Sequence, residues 1–146
     1  MTSKTLQKAR DYEVKMEEKI AEESRPAFHL SARVGWMNDP NGFSYYNGEY
    51  HMFYQYHPYD AYWGPMHWGH AVSKDLLHWE YRPVAIAPDM EYDKDGCFSG
   101  SAVTLPDGRH LLMYTSVERK EEADGVVRDF QTQSVAIGDG MDYEKY

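Results

Sequence analysis

Apolar side chains near the start of the chain recur at helical spacing and then give way to short alternating runs. Ala9, Tyr12, Met16 and Ile20 fall three and four residues apart, which lines one face of a helix predicted from about Thr5 to Glu23 and stopped by Pro26. The opposite face carries Lys8, Glu18 and Glu22 and reads as solvated. After Pro26, aromatic and β-branched residues form short runs separated by Gly, Pro, Asn and Asp, the pattern of an all-β chain. The sequence therefore divides into an N-terminal helical segment, residues 1–26, and a β domain, residues 27–146.

Within the β domain, Phe43 to Tyr46 and Glu49 to Tyr56 flank Asn47-Gly48, a pair that tolerates positive φ at both central positions of a type I′ hairpin turn. Met66 to Val72 and Glu80 to Ile86 read as the next two strands, with Ser73-Lys74-Asp75 in the turn between them. The same arrangement recurs: Phe98 to Leu105 and Arg109 to Val117 flank Pro106-Asp107-Gly108. Gly108 matches Gly48 and Tyr114 matches Tyr54 at an offset of 60 residues; Ala136-Ile137 matches Ala71-Val72 and Tyr146 matches Tyr81 at 65. Glu118 to Gly125 reads as a solvated loop between the second and third strands of this unit.

Repeated four-stranded units predict a β-propeller, whose blades bury their faces against one another. Propellers typically carry 4 to 8 blades, and this sequence supplies two, the second ending on Tyr143 to Tyr146 within its last strand. The expectation is a fragment or an obligate assembler, with self-association through unpaired blade edges.

Composition alters the picture of the core. Leu, Ile, Val and Phe supply only 24 of 146 residues, and the net charge is -9, a combination usual for disordered chains. Thirteen Tyr, four Trp and eight Met make up the missing apolar area, so the core is expected to be aromatic. The acidic balance argues against nucleic acid and anionic membrane as partners and leaves a small-molecule ligand. No apolar run reaches the roughly 20 residues of a membrane span, and the charged N-terminus does not resemble a signal peptide, which points to the cytosol. The single cysteine, Cys97, rules out an intrachain disulfide and a thiolate zinc cage.

Candidate chemistry concentrates in Trp36-Met37-Asn38-Asp39-Pro40-Asn41-Gly42, just ahead of the first blade strand. The innermost strand of a propeller blade borders the central channel, so a carboxylate at its mouth, Asp39, can face a ligand on the axis. The competing reading is a plain turn, because Asn, Asp, Pro and Gly are all turn formers. Sugar sites set aromatic faces beside Asn, Gln and carboxylate groups, the mixture supplied by Trp36, Asn38, Gln55, Trp63 and Phe98-Ser99. His67 and His70 stand three apart on one strand and should point to opposite faces, against a metal site. No cofactor is expected.

Five motifs in order resemble glycoside hydrolase family 32, which contains invertases, sucrose-6-phosphate hydrolases and fructanases. They are Trp36 to Gly42, Phe53 to Pro58, Trp63-Gly64, His70 to Trp79 and Phe98 to Ser101. The resemblance implies a five-bladed propeller, usually followed by a β-sandwich, that releases fructose from β-fructofuranosides with retention of configuration. It implies Asp39 as the nucleophile and Trp36, Met37, Asn38, Gln55, Trp63, Phe98 and Ser99 as positions lining the fructosyl pocket. Retention also needs an acid held about 5 to 5.5 Å from the nucleophile. The family supplies it as a Glu before Cys, whereas here Gly96 precedes Cys97, so the acid is expected beyond Tyr146. The family's Arg-Asp-Pro stabiliser has an imitation in Arg128-Asp129-Phe130, which lacks the proline and reads as unrelated. Glu80 and Glu91 read as surface carboxylates. The resemblance leaves open sucrose, sucrose 6-phosphate or a fructan as substrate, and a non-catalytic sugar-binding module assembled from partial blades stands as the alternative.

Overall fold

The computed structural model describes residues 2–146. One α-helix, α1 (Lys4–Glu17), precedes eight strands: β1 (Trp36–Tyr46), β2 (Glu49–His57), β3 (His67–Ser73), β4 (Glu80–Ile86), β5 (Gly96–Thr104), β6 (His110–Glu121), β7 (Val127–Gly138) and β8 (Tyr143–Lys145). Two antiparallel four-stranded sheets result, ordered β1-β2-β3-β4 and β5-β6-β7-β8. Each is one blade of a β-propeller, and their first strands, β1 and β5, lie against each other. Among the described residues no helix is long and apolar enough to cross a membrane.

Ser3 caps α1 by accepting a hydrogen bond from the Leu6 backbone N–H at 3.0 Å. The helix stops at Glu17, earlier than the predicted Glu23, because tertiary contacts end it before Pro26 does. Lys19 and Ile20 donate to the Met16 and Glu17 carbonyls in tightened i→i−3 turns, and Arg33 holds the Glu17 carboxylate at 2.7 Å. The chain then folds back through a short 3₁₀ turn at Glu22–Ser24.

Side-chain alternation along β2 divides the core in two. Phe53 points toward the second blade and joins Trp68, Ile86, Cys97, Leu112 and Tyr114 between the sheets. Tyr54 and Tyr56 point the other way and pack with Ala71, Val84 and with Leu6 and Ala9 of α1. Every residue of β3 is buried as a result. Asn47 and Gly48 at the β1-β2 turn have φ of 49° and 84°, as a type I′ turn requires.

Three sequence expectations are corrected. Trp36 to Gly42 is neither a turn nor a leader but the first half of β1. The charged stretch from Glu118 is strand as far as Glu121, because cross-strand ion pairs such as Arg119–Asp129 at 3.0 Å substitute for apolar alternation in an exposed hairpin arm. Arg128-Asp129-Phe130 accordingly lies within β7 rather than before it.

Charged side chains are buried in two clusters. Lys145, from β8, reaches between the blades and donates to Asp89 and Asp93 at 2.6 Å each, and it also meets the Ala87 carbonyl. Asp93, fully buried, accepts from the Tyr114 hydroxyl at 2.8 Å as well. Burial opposes the Lys145 charge, but the Cys97, Asp93 and Asp89 side chains prevail and raise its pKa. On the other side of blade 1, Glu13 accepts from Arg33 and from the Val84 backbone N–H, both at 3.1 Å.

Burial pushes the Glu13 carboxyl up from 4.5 to about 7, against the Arg33 charge and those hydrogen bonds. Between those two values the folded chain holds a proton that the unfolded chain has released, so stability falls as pH rises through the window. A Glu13→Gln protein lacks this titration. Urea denaturation at pH 5 and pH 8 should show native stability declining relative to the variant by up to about 3 kcal/mol. Parallel pH profiles would mean that Glu13 is ionised throughout.

Candidate active site

A strand containing Asn, Asp, Pro and Gly survives because β1 is bulged. Met37 pairs with Tyr56 and Pro40 with Tyr54, so Asn38 and Asp39 together oppose the single Gln55. An inserted residue bends the strand and re-aims its side chains. A second bulge, between Asn41 and Ser44, contains Gly42 at φ 51°, where a Cβ would come within 2.9 Å of the buried Phe53 ring and 3.2 Å of Ala102 on the next blade. Strand β5 repeats the device: Phe98 pairs with Thr115 and Gly100 with Tyr114, which leaves Ser99 as the extra residue.

The two bulges meet. Ser99 Oγ donates to Asp39 Oδ2 at 3.1 Å across the blade boundary. Asp39, Asn38 and Gln55 from blade 1, with Phe98, Ser99 and Thr115 from blade 2, bound a cavity of about 280 Å³, which Trp63 and Gln131 complete. The repeat relates these groups, since Asn38, Asp39 and Gln55 correspond at an offset of 60 to Phe98, Ser99 and Thr115. The site is therefore one position of the blade, sampled twice.

Hydrogen bonds fix the walls. Asn38 Oδ1 accepts from the Trp36 indole N–H at 2.8 Å. Gln55, 3% exposed, donates from Nε2 to the Cys97 carbonyl at 3.0 Å and so ties β2 to β5. The buried Asn41 amide, turned with its oxygen toward Gln55, accepts from that residue's Nε2 at 3.0 Å and its backbone N–H at 3.2 Å. The Trp68 indole donates to the Phe98 carbonyl at 3.1 Å. On blade 2, Gln133 donates to Thr115 Oγ1, which donates in turn to the Ser99 carbonyl, both at 3.1 Å.

Of the positions singled out by sequence, Asn38, Asp39, Gln55, Trp63, Phe98 and Ser99 converge on this cavity. Trp36 and Met37 do not line it: Trp36 braces Asn38, and Met37 packs against the core on the α1 side. Glu80 and Glu91 are also absent from the lining, and Glu91 is paired with Lys94 at 2.6 Å. Thr115 and Gln131 escaped the sequence reading. Extending the repeat from Tyr54 and Tyr114 by one residue pairs Gln55 with Thr115 and would have found the first; nothing local marks the second. Among the described residues no cluster of three or more His, Cys, Asp or Glu side chains has the geometry to hold a metal ion. A larger cavity of about 710 Å³ lies by Asp89 and Lys145, whose charges are already matched to each other.

The chain is two blades of a β-propeller that set a carboxylate, amides and two aromatic rings around one cavity at their boundary. It belongs to glycoside hydrolase family 32, for the description "Glycosyl hydrolases family 32 N-terminal domain" matches residues 29–146. A sucrose-6-phosphate hydrolase of Zymomonas mobilis is 46% identical over 144 residues, 97% of this chain and 28% of that protein. A raffinose invertase of Escherichia coli is 52% identical over 122 residues, 82% of this chain and 25% of that protein. Among solved structures, a Bombyx mori GH32 β-fructofuranosidase superposes with a TM-score of 0.84 at 42% identity, covering 96% of this chain and 29% of that one. A variant of that enzyme in complex with sucrose gives 0.86 at 40%, covering 100% and 30%. The sucrose-6-phosphate hydrolase of Lactobacillus gasseri gives 0.74 at 34%, covering 100% and 28%. The chain thus spans about 30% of the length of such relatives.

Proposed function

We propose that a polypeptide containing this chain hydrolyses β-fructofuranosides, sucrose or sucrose 6-phosphate, by a retaining double displacement in which Asp39 is the nucleophile. The observation that carries this reading is the Asp39 carboxylate, turned into the cavity by its bulge. One oxygen is fixed by Ser99, and Oδ1 has no hydrogen-bond partner among the described residues.

In the first step Oδ1 attacks C2 of the fructosyl unit. The bond from C2 to the glycosidic oxygen breaks, and that oxygen takes a proton from a general acid. In the second, water attacks C2, the ester bond to Asp39 breaks, and the water's proton returns to the same acid. Asn38 and Gln55 offer amides to sugar hydroxyls, while Trp63 and Phe98 offer apolar faces. Among the described residues Asp39 is the only carboxylate that lines the cavity, so we assign the acid to a segment outside residues 1–146 and expect no turnover from these residues alone.

The test uses a polypeptide that extends this chain to the length of its relatives. Incubated with sucrose or sucrose 6-phosphate and followed by proton NMR, it should release fructose first in the β-furanose form. An inverted first product, or none from either sugar, would overturn the proposal.

A further inference from the structure

The geometry points to Arg119 as a positioning residue that holds the Trp63 ring against the cavity, an inference that rests on the proposed sugar-facing role of Trp63. Trp63 belongs to the long β2-β3 connection of blade 1 and is 45% exposed. Its neighbours in that loop are anchored. The Tyr62 carbonyl bonds with His57 Nδ1 at 2.9 Å, and Gly64 lies so close to the His57 ring that a Cβ there would come within 2.4 Å of it. The Trp63 side chain has no such backbone-level restraint. It is placed between two groups of the other blade: Phe98, edge to face at 6.1 Å between centroids, and Arg119, whose guanidinium carbon stands 5.9 Å from the ring centre.

Arg119 is itself built in. Its backbone N–H donates to Asp95 Oδ2 at 2.7 Å, and its Nε donates to Asp129 Oδ1 at 3.0 Å. Asp129 faces it across the β6-β7 pair. Phe98 and Trp63 line the cavity, whereas Arg119 does not, so the guanidinium braces the indole from outside and leaves the cavity free. Arg128-Asp129-Phe130, which sequence reading set aside, thus gains a task through Asp129: orienting the arginine that orients the tryptophan. The contact joins a loop of one blade to a hairpin arm of the next, so it sets the tilt of the ring at the blade boundary.

Two measurements test this and fail separately from the proposed activity. On the 146-residue chain, the Trp63 indole N–H resonance, assigned by its loss in a Trp63→Phe variant, should shift in Arg119→Ala and return toward its native position in Arg119→Lys. Asp129→Asn should move it in the same direction as Arg119→Ala, by less. In the extended polypeptide, Arg119→Ala should raise KM for sucrose about two- to fivefold, the scale of an exposed cation–π contact, with kcat changed less than twofold. An indole resonance indifferent to Arg119→Ala and Asp129→Asn would overturn the inference whether or not the polypeptide is active, as would a loss confined to kcat. A polypeptide inactive in every form would count against the proposed function and leave the resonance to decide the role of Arg119.

Discussion

An Asp39→Asn version of the extended polypeptide will fold normally and lose about 10³-fold or more in kcat, the scale on which removal of a covalent nucleophile acts. Asparagine keeps the shape of the side chain and an oxygen that can still accept from Ser99 Oγ, so the bulge, the cavity and the bond between blades should persist. What disappears is the negative oxygen that forms the ester with C2. The comparison is of initial rates of fructose release at saturating sucrose, with thermal melting followed in parallel. A variant within tenfold of the native rate would remove Asp39 from the mechanism. A large loss together with a lowered melting temperature would require Ser99→Ala as a control, because that change disturbs the same contact without touching the nucleophile.

Lys145→Ala will destabilise the 146-residue chain by about 3–5 kcal/mol, the cost of breaking a buried ion pair from one side. The Lys145 side chain is 8% exposed, and its partners Asp89 and Asp93 are 10% and 0% exposed. Removing the ammonium strands two carboxylates in a site that water scarcely reaches, beside a hydroxyl and a thiol that already depend on Asp93. Urea denaturation measures the loss. The triple change Lys145→Met, Asp89→Asn, Asp93→Asn should recover much of it, because the charge imbalance goes with the charges. A cost below about 1 kcal/mol for Lys145→Ala would place the cluster among surface-like pairs and require water to enter it.

Much of the blade pattern was legible in local sequence because it depends on local physics. Asn47-Gly48 demands positive φ wherever it sits, and alternation from Glu49 to Tyr56 places Phe53 and Tyr54 on opposite faces in any sheet. The repeat that relates Tyr54 to Tyr114 was also visible. What escaped depends on partners distant along the chain. Asn-Asp-Pro-Asn-Gly has the composition of a turn, and only pairing with Gln55 and Tyr54 reveals a bulged strand. Glu13 lies on a helix among other charged residues, yet Arg33 and Val84 draw it inside. The arm from Glu118 to Glu121 looks like loop until Asp129 is set opposite Arg119. The candidate site was readable to the extent that its residues cluster in motifs; Gln131 lines it from β7 and Arg119 meets Trp63 outside it, and no local motif marks either.

Placing Asp39 and Ser99 at the extra residue of the same strand in successive blades has an evolutionary corollary. Such a position works as a socket: the surrounding ladder carries the stability, and whichever amino acid occupies the socket is presented at the blade boundary, as Asp39 and Ser99 are to one cavity. Duplication of a blade therefore duplicates the socket, and chemistry can diversify around the ring one substitution at a time without rebuilding the scaffold.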